Sequence, residues 1–142
     1  MKSKRIRIIL IGIIVAAVTT LTYSQSLKVT VKNVKSSNGM VRLALYNSEE
    51  LHMKKEIQTR EVKPTNGVAE VFFENVIPGV YSISVMHDVN DNKELDTNLI
   101  GIPKEGFGFS NDAMGTFGPP DFKKASFSYP DKKEMVISLR YL

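Results

Sequence analysis

From Leu27 onward the chain alternates apolar and polar positions with a period of two, the mark of half-buried strands rather than helices. LKVTVKNV (27–34) puts Leu27, Val29 and Val31 on one face and Lys28, Thr30 and Lys32 on the other. MVRLALYN (40–47) repeats the pattern with Val41, Leu43 and Leu45, and the Asn38-Gly39 pair between the two runs predicts a two-residue hairpin. IQTREVKP reads as an edge strand ending at Pro64, and Asn66-Gly67 turns the chain into VAEVFFENV, where Ala69, Val71 and Phe73 share a face. Pro78-Gly79 predicts a type II turn, opening VYSISVMHD with Tyr81, Ile83, Val85 and His87 on one side. KKASFSYP and EMVISLRYL add two strands, through Ala125, Phe127 and Tyr129 and through Met135, Ile137, Leu139 and Tyr141. NSEELHMKKE (47–56) breaks the alternation. Asn47 and Glu50 fit a capping box there, so one or two helical turns are expected, with His52 exposed.

About seven short strands and no long helix predict an all-β fold, an antiparallel two-sheet β-sandwich of immunoglobulin-like layout. Residues 89–124 depart from it, with little alternation and many glycines and prolines. Yet Leu95, Leu99, Ile100, Ile102, Phe107, Phe109, Met114, Phe117 and Phe122 are apolar side chains that want burial. The segment therefore predicts an ordered loop excursion over 88–122, longer than connections usually run unless they carry function.

The alternation begins only after a different kind of text. MKSKRIR, then IILIGIIVAAV, then TTLTYSQS follow the order of a secretory signal: charged, apolar, small and polar. Cleavage after Ser24 leaves residues 25–142 as one domain, exported to the periplasm or beyond. The apolar run is short of the roughly 20 residues of a spanning helix, so no membrane span is expected after cleavage, and an uncleaved anchor is the alternative. No Cys follows the apolar run, which excludes a lipid-modified N-terminus. The leader also changes the charge. Of 19 Lys+Arg against 15 Asp+Glu, four basic residues lie in it, leaving 15 against 15. No net positive charge is left to point to nucleic acid, and the lack of Cys excludes disulfides.

The candidate chemistry starts at HDVNDNKELD (87–96). Asp88, Asn90, Asn92, Glu94 and Asp96 fall at alternate positions, the oxygen-rich spacing that hard cations such as calcium require. Lys93 stands where the sharp turn of a calcium loop favours Gly, and Leu99 where it has a bidentate Glu. The competing reading is a polar turn whose Asp and Asn side chains cap backbone amides. His87 lies on the inward face of its strand, opposite Asp88, and two distant histidines without Cys make no zinc site. Ser110 with His87 and Asp112 or Asp96 forms a hydrolase set on paper, without a G-x-S-x-G elbow. Asp96, Glu105 and Asp112 offer carboxylates for glycoside chemistry at separations the sequence leaves open. GIPKEGFGFSNDAMGTFGPPDF (101–122) alternates glycine with phenylalanine. It reads as a ligand platform with His87, Glu105, Phe107, Phe109, Ser110 and Asn111, or as a satellite core under a long loop.

These stretches together resemble a bacterial exported family, domain of unknown function 2141. Its pattern H-D-x-N-x-N-G-K-L-D-x-N, then G-I-P-x-E-G-[YF]-G-F-S-N, then G-P-P-x-F runs here from His87 to Phe122. The chain departs from it at Lys93 and Glu94, which replace the family's Gly-Lys. IPGVYSISVMHD also resembles a strand of transthyretin-like and carboxypeptidase-regulatory sandwiches, which implies a fold and no activity. The expectation is an exported non-catalytic binding or structural module, calcium-stabilised through residues 88–96. The alternative is a small-molecule or peptide-binding module using the 101–122 cap, and the third is a small hydrolase. The partner expected is a small molecule, a peptide or an envelope protein.

Overall fold

The computed structural model describes residues 25–142; the expected leader and its cleavage point lie outside them. Eight strands form among the described residues: β1 Leu27–Lys32, β2 Met40–Tyr46, β3 Gln58–Val62, β4 Ala69–Phe73, β5 Gly79–Asp88, β6 Gly106–Phe109, β7 Phe127–Tyr129 and β8 Glu134–Ser138. They build two sheets, ordered β4-β1-β8 and β3-β2-β5-β6, with β7 pairing the start of β5. The alternation chose the faces. Leu27, Val29 and Val31 of β1, Val41, Leu43 and Leu45 of β2, and Tyr81, Ile83 and Val85 of β5 are all buried between the sheets. Phe73, Ile137 and Leu139 complete that core from the three-stranded side. The fold is the all-β two-sheet sandwich that the pattern predicts.

Local signals misled in four places. β1 and β2 lie in different sheets and do not pair, so Asn38-Gly39 closes no hairpin. It carries the chain across the end of β5: Gly39 has φ +65°, and a Cβ there would stand 1.9 Å from the Asp88 carbonyl oxygen. β1 and β8 pair in parallel, Val29 beside Met135 and Val31 beside Ile137, so the sandwich is not antiparallel throughout. Residues 49–54 make turns rather than a helix, and the amide of Leu51 is taken by the Ser48 hydroxyl instead of an Asn47–Glu50 box. Gly79 is not among the residues with positive φ, so the type II turn is absent; this glycine leaves room for the Tyr81 ring, 3.3 Å from where a Cβ would lie.

The excursion is not all loop. Gly106–Phe109 returns as β6 beside β5, and Phe107 exchanges two backbone hydrogen bonds with Arg140, joining the sheets at that edge. Its apolar residues also divide. Phe107 and Phe109 are buried, while Leu95, Met114 and Phe122 are half-buried. Leu99, Ile100, Ile102 and Phe117 are exposed, against expectation. The strand directions set two ends. At one lie Gln25, bonded to Val76, and the 47–57 and 74–78 connections. At the other lie the 33–39 crossing, the Asn66-Gly67 turn and residues 88–105.

Candidate functional site

The GFGF text of β6 explains both sheets at once. Gly106 and Gly108 point into the sandwich, where a Cβ would meet the Tyr141 ring at 2.4 Å and Ile137 at 3.0 Å. Phe107 and Phe109 therefore point outward, and with Ala125 they form a second small core on the outer face of the five-stranded sheet. That face continues in rows across the strands: Glu61, Arg42, Met86 and Phe107 in one, Thr59, Ala44, Ser84 and Phe109 in the next. The small side chains of Ala44, Thr59 and Ser84 leave a trough of about 800 Å³. Met53, Glu56, Lys93, Leu95 and the two phenylalanines are among the residues that line it. Tyr46, whose hydroxyl burial pushes up in pKa, closes the end near His52. The volume is in the range of small-ligand sites, and the lining is mixed: Arg42, Glu56, Arg60, Glu61 and Lys93 stand in it beside the apolar side chains.

Backbone strain falls on the same walls. Among the described residues with positive φ, all but two are glycine, asparagine or aspartate; the exceptions are Met53 (φ 58°) and Lys93 (φ 68°). A bulky side chain in that region is costly and needs a surrounding structure to hold it. Both line the trough.

Lys93 is held by the 88–96 loop. Asp88 is fully buried, and its Oδ1 accepts the Asn92 amide at 3.0 Å while Oδ2 accepts the Lys93 amide at 2.8 Å. Arg42 Nε also donates to Oδ2, at 2.7 Å, and the same guanidinium pairs with Glu61 and Asp91. Burial alone would push the Asp88 carboxyl up; the Arg42 hydrogen bond, the two amides and the guanidinium charge outweigh it and hold it below its usual value. Asn90 and Asn92 each turn a carboxamide nitrogen to Asp96, at 2.7 and 3.0 Å, and their oxygens to loop amides. Glu105, also buried, accepts the Val89 and Asp96 amides, one on each carboxylate oxygen. Every buried side-chain nitrogen and oxygen among the described residues has a partner.

The other expected site residues are clamps too. His87 is buried in the sandwich core. Its Nε2 faces the Asn38 carbonyl at 2.8 Å, which makes it the donor and leaves Nδ1 to accept from the Tyr141 hydroxyl at 2.9 Å. Ser110 accepts the Ile83 amide at 2.9 Å and donates to the Ala125 carbonyl. Asn111 donates to the Ser126 carbonyl at 2.7 Å, and Asp112 accepts the Ser138 amide at 2.8 Å. Ser110 and His87 thus serve different partners and do not form a nucleophile–base pair. His52 is half-buried rather than exposed, strung between the Ser82 hydroxyl and the Pro120 carbonyl at 2.9 Å each.

A model of the bacterial family described as "Uncharacterized protein conserved in bacteria (DUF2141)" matches residues 29–138, from β1 through β8. The chain belongs to this family. No curated protein and no solved structure matches it. For a DUF2141 domain the fold gives the motif residues a role that needs no ligand: His87, Asp88, Glu105, Ser110 and Asn111 pin the excursion to the sandwich. Of the expected ligand set, Phe107 and Phe109 face the trough, and so do Ala44, Thr59, Ser84 and Met86, which the sequence reading passed over. Their signal was present. Ala44, Tyr46 and Met86 are apolar at positions where the outward face should be polar.

Proposed function

We propose that the protein is an exported, non-catalytic binding module whose trough on the outer face of the five-stranded sheet holds an apolar small molecule or an extended apolar peptide segment. The carrying observation is that Met53 and Lys93, the two strained bulky residues, both line one concavity. Strained backbone persists only where the surrounding structure holds it, and it clusters at functional sites. Export rests on the leader-like order of residues 1–24. Among the described residues no helix is long and apolar enough to cross a membrane. The non-catalytic reading is supported by the engagement of Ser110 and His87 with separate structural partners.

The test is a titration of the purified protein with the neutral dye Nile red. A saturable fluorescence rise is expected, and Ala44→Arg or Thr59→Arg, each filling the trough from its floor, should remove it. An equal rise in both variants would overturn the reading.

Calcium in the 88–96 loop is the second reading, favoured by the Asn90 and Asn92 carboxamides facing the Asp96 carboxylate. A half-turn of both amides would aim two more oxygens at that point, at the cost of the hydrogen bonds that their oxygens now accept from the Asn92 and Glu94 amides. Among the described residues no three His, Asp or Glu side chains are arranged to hold a metal ion, and Arg42 already supplies positive charge to Asp88 and Asp91. A melt in EDTA and in millimolar calcium decides it. At 100 times its Kd a ligand adds about 2.7 kcal/mol; an unchanged Tm assigns the loop to Arg42, and a calcium-specific rise assigns it to the ion.

A further inference from the structure

The trough differs in charge from one end to the other. On β2 the outward residues run Arg42, Ala44, Tyr46, so Arg42 marks one end and Tyr46 the other. Of the five charged side chains that line it, three are committed to the chain itself. Arg42 and Glu61 pair with each other, and Asp88 and Asp91 share the same guanidinium. Arg60 donates to the Phe72 and Thr59 carbonyls and to the Gln58 side chain. The other two are Glu56 and Lys93, whose carboxylate and ammonium take no hydrogen bond or ion pair among the described residues. They are opposite in sign and stand at opposite ends. The Ile57 amide donates to the Leu45 carbonyl at 2.8 Å, which sets Glu56 beside Tyr46. Burial first, and the Glu56 charge after it, push the Tyr46 hydroxyl up in pKa. The Lys93 amide donates to the Asp88 oxygen that Arg42 Nε also meets, which sets Lys93 beside Arg42. Arg42 and Tyr46 are four residues apart on one strand, roughly 13 Å at the usual strand rise.

We propose that the trough's ligand is a short apolar peptide with free termini, lying extended along β2 with its amino group at Glu56 and its carboxylate at Lys93. The inference rests on the trough being a binding surface, as proposed above, and names the ligand class. Charge complementarity selects it. An extended chain covers at most about 3.3–3.6 Å per residue, so about four residues place an ammonium and a carboxylate roughly 13 Å apart. Alternate side chains of such a peptide point the same way, toward a floor where Ala44, Thr59 and Ser84 are small and leave room. The floor hydroxyls of Thr59 and Ser84 suit a ligand that carries amides, and a hydrocarbon would leave them unmatched. A single-headed amphiphile such as a fatty acid satisfies Lys93 but lays its tail against the Glu56 carboxylate. A segment inside a longer chain has neither terminus to offer.

Displacement of Nile red by the tetrapeptide Leu-Ala-Leu-Ala, at low salt so that exposed charges are least screened, tests this. The free peptide should displace the dye. Acetylating its amino end or amidating its carboxyl end should each weaken displacement about threefold, and both together about tenfold, the scale of exposed ion pairs. Glu56→Gln should weaken the free peptide about threefold and make acetylation neutral, while amidation still costs its own factor. Lys93→Gln should do the reverse. Both side chains are exposed, so the Tm of each variant should match that of the unaltered protein. Dodecanoate should displace the dye less well than the peptide. Equal displacement by the free and the doubly blocked peptide would overturn the proposal. So would stronger displacement by dodecanoate, or an end effect that survives the loss of its own partner. If Ala44→Arg removes dye binding while the peptide displaces none from the unaltered protein, the trough stands and only the peptide falls. If Ala44→Arg leaves the dye bound, the trough reading itself has failed.

Discussion

Between the two sheets, β1, β2, β4 and β5 meet through alternate aliphatic and aromatic side chains, and no polar group except His87 intrudes among their innermost residues. Residues 88–125 are organised the other way. A few apolar side chains, chiefly Phe107, Phe109 and Ala125, share the work with buried Asp88, Glu105 and Ser110, each accepting or donating to backbone. Burial of apolar area is non-directional and tolerates approximate fit. A buried carboxylate tolerates nothing of the kind, because an unmatched one costs more than a lost methyl group. The first region is therefore stable in bulk, and the second is exact in shape at a few points. A trough with fixed walls needs the second kind of support, and its strained Lys93 is held by the Asp88 carboxylate, which accepts the Lys93 amide on one oxygen and the neighbouring Asn92 amide on the other.

The contrast can be broken from either side. Phe73→Ala empties the apolar core, where the ring is fully buried, and should cost about 3–5 kcal/mol in denaturant unfolding. The loss should be global, lowering protection of core amides together. Arg42→Met should cost about 3 kcal/mol by leaving Asp88 buried with amides alone, roughly 10 °C in Tm at this size. Its signature should be local. The amides of Asn92 and Lys93 should exchange first, while those of β1 stay protected. If all amides open together, loop and core are one cooperative unit and the division between them is wrong.

Acid sharpens the same point. Asp88 has its folded pKa held below the unfolded value of about 3.8. The stability it contributes is therefore complete above that value and lost as pH falls below it toward the folded pKa. A pH series of melts should show a fall beginning near pH 4 that is shallower in Asp88→Asn. The smallest effect has the opposite sign. Lys93→Gly places a glycine at a positive φ and should raise stability by about 1 kcal/mol; a fall would mean that the Lys93 side chain contributes more than its backbone costs.

How much of this was legible follows from what alternation encodes. Leu27, Val29 and Val31 declare a strand and its buried face, because a period of two is a property of one strand alone. Asn38-Gly39 declares a turn but not which sheet the next strand joins, and that depends on Asp88 and Val89, some fifty residues away. Gly106–Phe109 was unreadable as a strand because both its faces are covered: its alternation is small against large, not polar against apolar. The site was harder for a related reason. A buried clamp and a ligand group use the same side chains, so Asp88, Glu105 and Ser110 announced chemistry and turned out to hold backbone. The trough depends instead on Ala44, Thr59 and Ser84 being small on adjacent strands, a coincidence visible only once strand order and register are known.

The most direct measurement is a chemical-shift map of the protein titrated with 2-naphthol, a neutral apolar probe. The account predicts that saturating shifts cluster at Ala44, Thr59, Ser84, Met86 and Phe107, with the amides of Val89, Asp96 and Ile83 unmoved in their clamps. Shifts centred on 88–96 or on Ser110 and Asn111, with the outer face of the five-stranded sheet silent, would contradict it.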